Sequence, residues 1–406
     1  MDLKSGYPFW TVSNGLLTRY PQLTHDLQVN IAIIGGGITG ALIADELTRH
    51  GHDVAVLERR DVGWGSTAAS TALLQYEIDT HLYHLAQQYG EASAVMAYQG
   101  CAEAVHALAA RAAELGDIAF RRQQSLYFAS EADHLSSLRD EFAIRKRWGF
   151  DVQWCSPEQL QEAYGFNAPG GILSHLAATV DPYRMAYQLL DEVVARGGHV
   201  YDRTAVESLE ADGATMGVRL RNGALVRCQQ VIIAAGYESQ TWLPEPVASN
   251  RSSYAFVTDP LPCGMLGKLR DTMVWESARP YLYLRSTHDG RLLVGGEDDE
   301  EDLPERRDAR VLEKAASLAE RVFSLWPSLR MTPAFSWGGT FAETEDGLPY
   351  FGTHEALGPN VHFAMAYGGN GITYSMIGAH LLRAHLEGRR HPLSDLFSFE
   401  RGQRAR

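Results

Sequence analysis

Apolar positions in the first third of the chain follow two periods in turn. Val29 to Ile34 reads as a short buried strand, Ile38 to Arg49 carries apolar residues at helical spacing with the small residues Ala41 and Ala44 among them, and Asp53 to Glu58 reads as a second strand. Parallel neighbours need a crossover, and a helix is the usual one, so this pattern predicts a βαβ unit. Alternation of the same kind continues with a helix over Ala92 to Ala113, a strand over Ser125 to Ala129 and a helix over Glu131 to Trp148. Asp181 stands as N-cap before a helix over Pro182 to Arg196, with proline just inside, where its missing N–H costs nothing. Val231 to Ala235 is a buried strand ending at Gly236. From Tyr254 to Gly296 the texture changes to short β-type runs, including Tyr281 to Arg285 and Arg291 to Val294 about a His288-Asp289-Gly290 turn, which predicts an antiparallel sheet. The acidic run Asp298 to Asp302, followed by Arg306 to Arg310, reads as a solvated loop leading into a surface helix, with no function required of it. Val361 to Ala366 is one more strand, and Ile372 to Leu386 a terminal helix reached through Gly368-Gly369-Asn370-Gly371.

At 406 residues the chain exceeds the usual size of one domain, so two cores are expected. Hydrophobic residues at 45% and charged residues at 21% are ordinary globular values, and the chain should fold throughout. A formal charge of -14 repels nucleic acid and anionic membranes, which leaves small molecules as the expected partners. Cys101, Cys155, Cys228 and Cys263 form no CxxC pair, and the fifteen histidines show no HxH or HExxH spacing, so neither a disulfide framework nor a metal site is expected. No apolar run is long enough to span a bilayer, and the first thirty residues lack a signal-peptide core, so the expected location is the cytoplasm.

Gly35-Gly36-Gly37-Ile38-Thr39-Gly40 supplies a G-x-G-x-x-G between predicted strand and helix, and Glu58 ends the next strand roughly twenty residues on. Gly35 allows the tight turn, Gly37 lets backbone approach a pyrophosphate, Gly40 lets helix and strand pack closely, and the helix N-terminus offers N–H groups to phosphate. Glu58, beside Arg59, would accept from a ribose hydroxyl. This constellation predicts dinucleotide binding and does not separate FAD from NAD.

The next segment, Gly63-Trp64-Gly65-Ser66-Thr67-Ala68-Ala69-Ser70-Thr71-Ala72, makes that separation. With it the sequence resembles the FAD-dependent D-amino-acid oxidase, glycine oxidase and sarcosine oxidase family. Tyr7 to Trp10, Ser125-Leu126-Tyr127, Thr179 to Pro182, Ala234-Ala235-Gly236 and Trp337-Gly338-Gly339 to Pro349 fall in family order across nearly the whole chain. The resemblance implies that Ser66 and Thr67 donate to the pyrophosphate, that the small side chains of Ala68, Ala69 and Ala72 leave room for the isoalloxazine, and that Gly65 and Thr71 of the same segment also contact the cofactor. It places Val206 against adenine, Ala235 and Gly236 over the pyrophosphate, and Gly339 beside the flavin. Gly369, Asn370, Gly371, Ile372 and Thr373 would present a helix N-terminus to the flavin pyrimidine, where reduction leaves negative charge. The implied fold is α/β: a Rossmann-type FAD-binding domain from residues 1-88, 176-250 and 326-390, an inserted α+β substrate domain with an antiparallel sheet from 89-175 and 251-325, and a tail over 391-406.

Departures from the family narrow this. Trp337 to Gly352 contains no cysteine and Trp64 to Tyr76 no histidine, so the FAD is expected to be non-covalent. Thr340 and Phe341 stand where glycine oxidase-like members carry a substrate-carboxylate arginine, a pattern closer to gamma-glutamylputrescine oxidoreductase-like members that oxidise amines. Leu292 and Leu293 occupy the segment where sarcosine oxidase-like enzymes carry an oxygen-activating lysine, which leaves the electron acceptor as oxygen or another carrier. The expected reaction is hydride transfer from a C–N bond of a small amine or amino acid to flavin N5, giving an imine that water hydrolyses, with no acid or base side chain demanded. Tyr283, Arg285, Trp337, Phe341, Tyr367 and Asn370 are the pocket candidates, with Arg285 the possible carboxylate ligand. Two other readings stay open: a flavin-bearing assembly protein without turnover, separated by anaerobic bleaching with amines, and a NAD(P)-dependent dehydrogenase, separated by the absorption spectrum.

Overall fold

A computed structural model describes residues 2–301, 303–329 and 331–401; residues 1, 302, 330 and 402–406 of the predicted segments, Asp302 of the acidic run among them, lie outside that description. Strand Ile31–Ile34, helix Ile38–Arg49 and strand Val54–Leu57 form the predicted βαβ unit, the two strands pairing in parallel. Every residue of both strands is buried, as a parallel sheet covered on both faces requires. They sit inside a six-stranded sheet in the order Tyr350–Thr353, Val361–Met365, Gln230–Ile233, Ile31–Ile34, Val54–Leu57, His199–Tyr201. Only Tyr350–Thr353 runs antiparallel. Helix Ile38–Arg49 packs against Pro182–Ala195 and Gly371–Leu386. Asp181 caps Pro182–Ala195, its Oδ1 accepting from the N–H groups of Tyr183 and Arg184 at 3.0 Å each.

Two further sheets complete the molecule. Leu27–Gln28, Leu225–Cys228, Thr215–Leu220 and Val206–Asp212 form a four-stranded sheet. The largest runs in the order Phe335–Glu343, Ser249–Val257, Leu292–Asp299, Leu282–Ser286, Thr272–Glu276, Arg121–Phe128, Gly171–Thr179, Leu73–Gln75, with Val152–Cys155 also on Gly171–Thr179. The expected antiparallel sheet is therefore part of a larger mixed one: Thr272–Glu276 runs parallel to Arg121–Phe128. The turn between Leu282–Ser286 and the next strand closes by a bond from the N–H of Thr287 to Arg291 O at 2.9 Å, with Gly290 at φ 82°. Strand Phe335–Glu343, which carries Trp337, Gly339 and Phe341, pairs along its length with Ser249–Val257.

The acidic run departs from its reading as a solvated loop. Asp298 and Asp299 end strand Leu292–Asp299, and the basic cluster opens helix Pro304–Leu325, in which Arg307 is fully buried. A charge run read along the sequence does not reveal that strand pairing half-buries its first members and sets Asp298 in the wall of a cavity.

Candidate functional site

A cavity of about 480 Å3 is lined from all three sheets. At one end the chain leaves strand Ile31–Ile34 through Gly35, at φ 113°, where an added Cβ would lie 2.3 Å from Ala234 O. At Gly40 a Cβ would lie 1.9 Å from Gly35 O, so the helix could not close on the turn with any other residue there. Gly35, Gly37, Ile38 and Thr39 line the cavity; Gly40 is packed behind them. The Thr39 hydroxyl pairs with Ser375 Oγ at 2.8 Å, which ties this helix to Gly371–Leu386.

Glu58 lies at the strand end beside this turn. Its Oε2 accepts from the N–H of Gly36 and its Oε1 from the N–H of Arg60, each at 2.8 Å. Burial pushes the Glu58 carboxyl above its usual range, opposed by those two N–H groups and by the charges of Arg60 and Arg59. Arg59 pairs with Glu238, and Val206, Ala235 and Gly236 line the same end.

Gly65, Ser66, Thr67, Thr71 and Ala72 line the middle of the cavity, whereas Ala68 is buried behind it. Thr67 Oγ1 accepts from the N–H of Ile38 at 2.9 Å, joining this short segment to the glycine turn and leaving the Thr67 hydroxyl proton to donate elsewhere. Ser66 Oγ is buried with no hydrogen-bond partner. A sealed hydroxyl at this point is an unmet donor that a phosphate oxygen satisfies, so the residues present fit a dinucleotide pyrophosphate. Trp337 donates from Nε1 to Ala69 O at 2.8 Å, and a Cβ at Gly339 would come within 3.1 Å of Ala69 Cβ, so backbone lies close against this segment.

Helix Gly371–Leu386 points its N-terminus into the cavity through Gly369, Asn370, Gly371 and Ile372. The first N–H groups of a helix have no carbonyl partner within it, so those of Gly371 and Ile372 are available to a cofactor. Gly369 is not such a donor: its N–H is taken by Asp79 Oδ2 at 2.9 Å. The Asn370 side chain donates to Glu77 O at 2.5 Å, and Thr373 turns away to donate to Gln75 O at 3.1 Å, outside the lining. Tyr367 lines the cavity and donates to Gly236 O at 3.1 Å.

Tyr283, Trp337 and Phe341 face the far end of the cavity; Arg285 does not. The Arg285 guanidinium is buried and donates to three carbonyls, Thr71 O at 2.6 Å, Val180 O at 3.1 Å and Ser286 O at 3.3 Å. Burial pushes it down to about 9. It pins the chain at Thr71 and has no face toward a substrate. Thr340 Oγ1 accepts from Arg307 Nη1 at 2.9 Å, but that arginine lies behind the sheet and is not part of the lining.

Sequence reasoning missed the polar groups that give this end its character: Glu77, Asp79, Arg279, Tyr281, Asp298 and Glu343. One signal was available. Gln75, Glu77 and Asp79 alternate with the buried Tyr76 and Ile78, the period of a strand-like segment with one polar face, and all three line the cavity. Glu77 is 3% exposed, neither carboxylate oxygen accepts a hydrogen bond, and Arg145 Nη1 lies 3.6 Å from Oε1. Burial pushes Glu77 and Asp79 above the usual carboxylate range, and pushes Asp298 up to about 6.

The family profile described as FAD dependent oxidoreductase matches residues 30–384. Among curated proteins, the gamma-glutamylputrescine oxidoreductase of Escherichia coli (strain K12) is 23% identical, covering 94% of this chain and 88% of its own length. The glycine oxidase of Geobacillus kaustophilus (strain HTA426) is 26% identical, covering 93% and 97%. Among solved structures, L-proline dehydrogenase from P. horikoshii superposes with a TM-score of 0.78 at 17% identity, covering 93% of this chain and 99% of that one. Glycine oxidase from Geobacillus kaustophilus gives 0.77 at 21% identity, covering 92% and 98%. The lining, with neither cysteine nor histidine among its described residues, holds its FAD without a covalent link to either. The chain belongs to the family of FAD dependent oxidoreductases.

Proposed function

We propose that this enzyme oxidises a C–N bond of a small amine or amino acid, releasing an imine that water hydrolyses. One observation carries the reading: a single cavity runs from the dinucleotide turn at Gly35 to an aromatic and acidic chamber at Tyr281, Tyr283, Phe341 and Asp298, with the helix N-terminus at Asn370 to Ile372 between them. Bound FAD supplies the two-electron acceptor. Glu58 would orient the ribose, Ser66 and Thr67 would donate to the pyrophosphate, and the N–H groups of Gly371 and Ile372 would face the pyrimidine side, where they favour negative charge. The residues contributing to the FAD end come from 1-88, 176-250 and 326-390, and we assign the FAD-binding domain to those segments and the substrate domain to 89-175 and 251-325. Tyr281, Tyr283 and Phe341 shape the chamber and exclude water from the reacting carbon, so that position more than acid or base catalysis does the work. Electrons pass on to oxygen or to another carrier. Among the described residues no helix is long and apolar enough to cross a membrane, and the exposed free thiol of Cys263 supports assignment to the reducing cytoplasm.

The test is anaerobic mixing of the purified yellow protein with glycine, D-alanine, sarcosine, putrescine and a gamma-glutamyl amine, following flavin absorbance. Bleaching by at least one, with the carbonyl product and ammonia or an amine recovered, is the expected result. A flavin that no member of a wide amine and amino-acid panel bleaches refutes the reading and favours a flavoprotein without this turnover.

A further inference from the structure

The substrate end of the cavity is charged in a way that the oxidation of a C–N bond does not require. Asp79, Asp298 and Glu343 all line it, and the hydroxyls of Tyr281 and Tyr283 both lie in the field of Asp79 and Asp298, so these groups converge on one space. Arg279 is the one cation lining this end among the described residues. Its guanidinium carbon lies 3.6 Å from the centre of the Tyr281 ring; the side chain is half-exposed, with Glu343 3.9 Å away. Glu343 is matched besides by Arg251 at 2.6 Å. Asp79 takes the N–H of Gly369. Asp298 lines the cavity with the Ser253 hydroxyl and the Arg279 charge acting on it, yet its Oδ1 accepts no hydrogen bond. Leaving a buried carboxylate oxygen unpaired beside like charges is costly, and a cation seated there removes the cost. Two phenol rings beside it add the aromatic faces that favour an ammonium or alkylated ammonium group.

We infer that Asp298 and Asp79, walled by Tyr281 and Tyr283, form a seat for a second, non-reacting cationic group of the substrate, which makes the preferred substrate a diamine or an amine bearing a remote ammonium. The inference rests on the amine-oxidising reading above and sharpens it. The reacting nitrogen must be neutral to lose electrons, whereas the remote nitrogen stays protonated and holds the chain by its charge. A substrate carboxylate at the same place meets two acids, with only the half-exposed Arg279 to receive it.

Two measurements on the holoenzyme decide the matter. Anaerobic reduction by 1,3-, 1,4- and 1,5-diaminoalkanes is compared with that by n-alkylamines of equal length at pH 8, and at least one diamine is expected to half-saturate at a concentration tenfold or more below its monoamine. That ratio should fall below about threefold in Asp298→Asn and in Asp79→Asn, either of which serves if the other fails to retain FAD. Tetramethylammonium has no nitrogen lone pair and cannot be oxidised as an amine, so its binding, read by calorimetry or by perturbation of the flavin spectrum, stands apart from turnover. It should bind wild type and lose at least tenfold in affinity in Asp298→Asn, while acetate shows no binding. If no amine bleaches the flavin but tetramethylammonium binds in this pattern, the oxidation reading fails and the cation seat stands. Equal half-saturation by diamines and monoamines, absence of tetramethylammonium binding, or fast reduction by an α-amino acid that is lost in Arg279→Ala overturns the seat.

Discussion

Replacing Glu58 by alanine tests the assignment of the dinucleotide end most directly. The carboxylate binds two backbone N–H groups at 2.8 Å, from Gly36 and Arg60, and still has lone pairs facing the cavity. A ribose hydroxyl donating to it makes a charge-assisted bond worth about 1.5–3 kcal/mol. At about 1.4 kcal/mol per decade, its loss weakens FAD by roughly one to two orders of magnitude. The variant also leaves the Gly36 and Arg60 N–H groups without their partner, which loosens the turn itself at about 1–3 kcal/mol for each group kept from water. These two effects separate experimentally. Thermal unfolding of the apoprotein reports the turn alone, while the FAD dissociation constant from fluorescence titration reports both. Glu58→Gln keeps one amide oxygen as acceptor and should recover part of the affinity. Should FAD bind Glu58→Ala as tightly as wild type, Glu58 is not the ribose ligand, and the assignment of this end falls with it.

Three further outcomes follow from the same geometry. Arg285→Ala removes a guanidinium that serves three carbonyls and leaves a cavity, so apoprotein stability should drop by about 2–4 kcal/mol, checked by denaturant unfolding. An unchanged midpoint would refute its role as a clamp on Thr71. Gly40→Ala forces a Cβ to within 1.9 Å of Gly35 O, and should cost about 1–3 kcal/mol together with weaker FAD retention, checked by thermal unfolding and by flavin content after gel filtration. Asp298 is pushed up to about 6 chiefly by burial, with Asp79 and Glu343 adding to the shift and Ser253 and Arg279 opposing it. The folded protein therefore holds its proton at a pH where the unfolded chain, near 3.8, has lost it, so ionised Asp298 is a cost to the fold above pH 6 that fades as the pH falls. Cation binding has the opposite sign: tetramethylammonium affinity should decline as pH falls through about 6 and stay flatter in Asp298→Asn, measured by titration between pH 5 and 8.

How far the sequence reached depends on whether a feature is local. The glycine turn, its strand and helix, Glu58 and the hydroxyl-rich segment at Ser66 and Thr67 are read from residues adjacent in the chain, because tight turns, N-caps and amphipathic periods are set by neighbours and by the backbone freedom of glycine. Those elements stand within a residue or two of where the pattern puts them, as with Ile38–Arg49 and with Pro182–Ala195 behind its Asp181 cap. The resemblance in motif order carried the cofactor and the fold class, both of which depend on many short pieces in sequence. Side-chain direction across sheets was not local. Arg285 and Asp298 sit on neighbouring strands of one sheet, and nothing in their flanking residues says that the first turns back to grip Thr71, Val180 and Ser286 while the second opens into the cavity. Pairing and register decide that, since one residue of slip sends a side chain to the opposite face. The helix N-terminus was foreseen, but the loss of the Gly369 N–H to Asp79 was not, because that carboxylate arrives from a segment far away in sequence. The sequence by itself determined that this chain folds around FAD. Only the tertiary structure decided what stands opposite the cofactor, because the charges of the substrate chamber come from segments distant in the chain and acquire their balance, and the unpaired oxygens of Glu77 and Asp298, only when strand pairing brings them together.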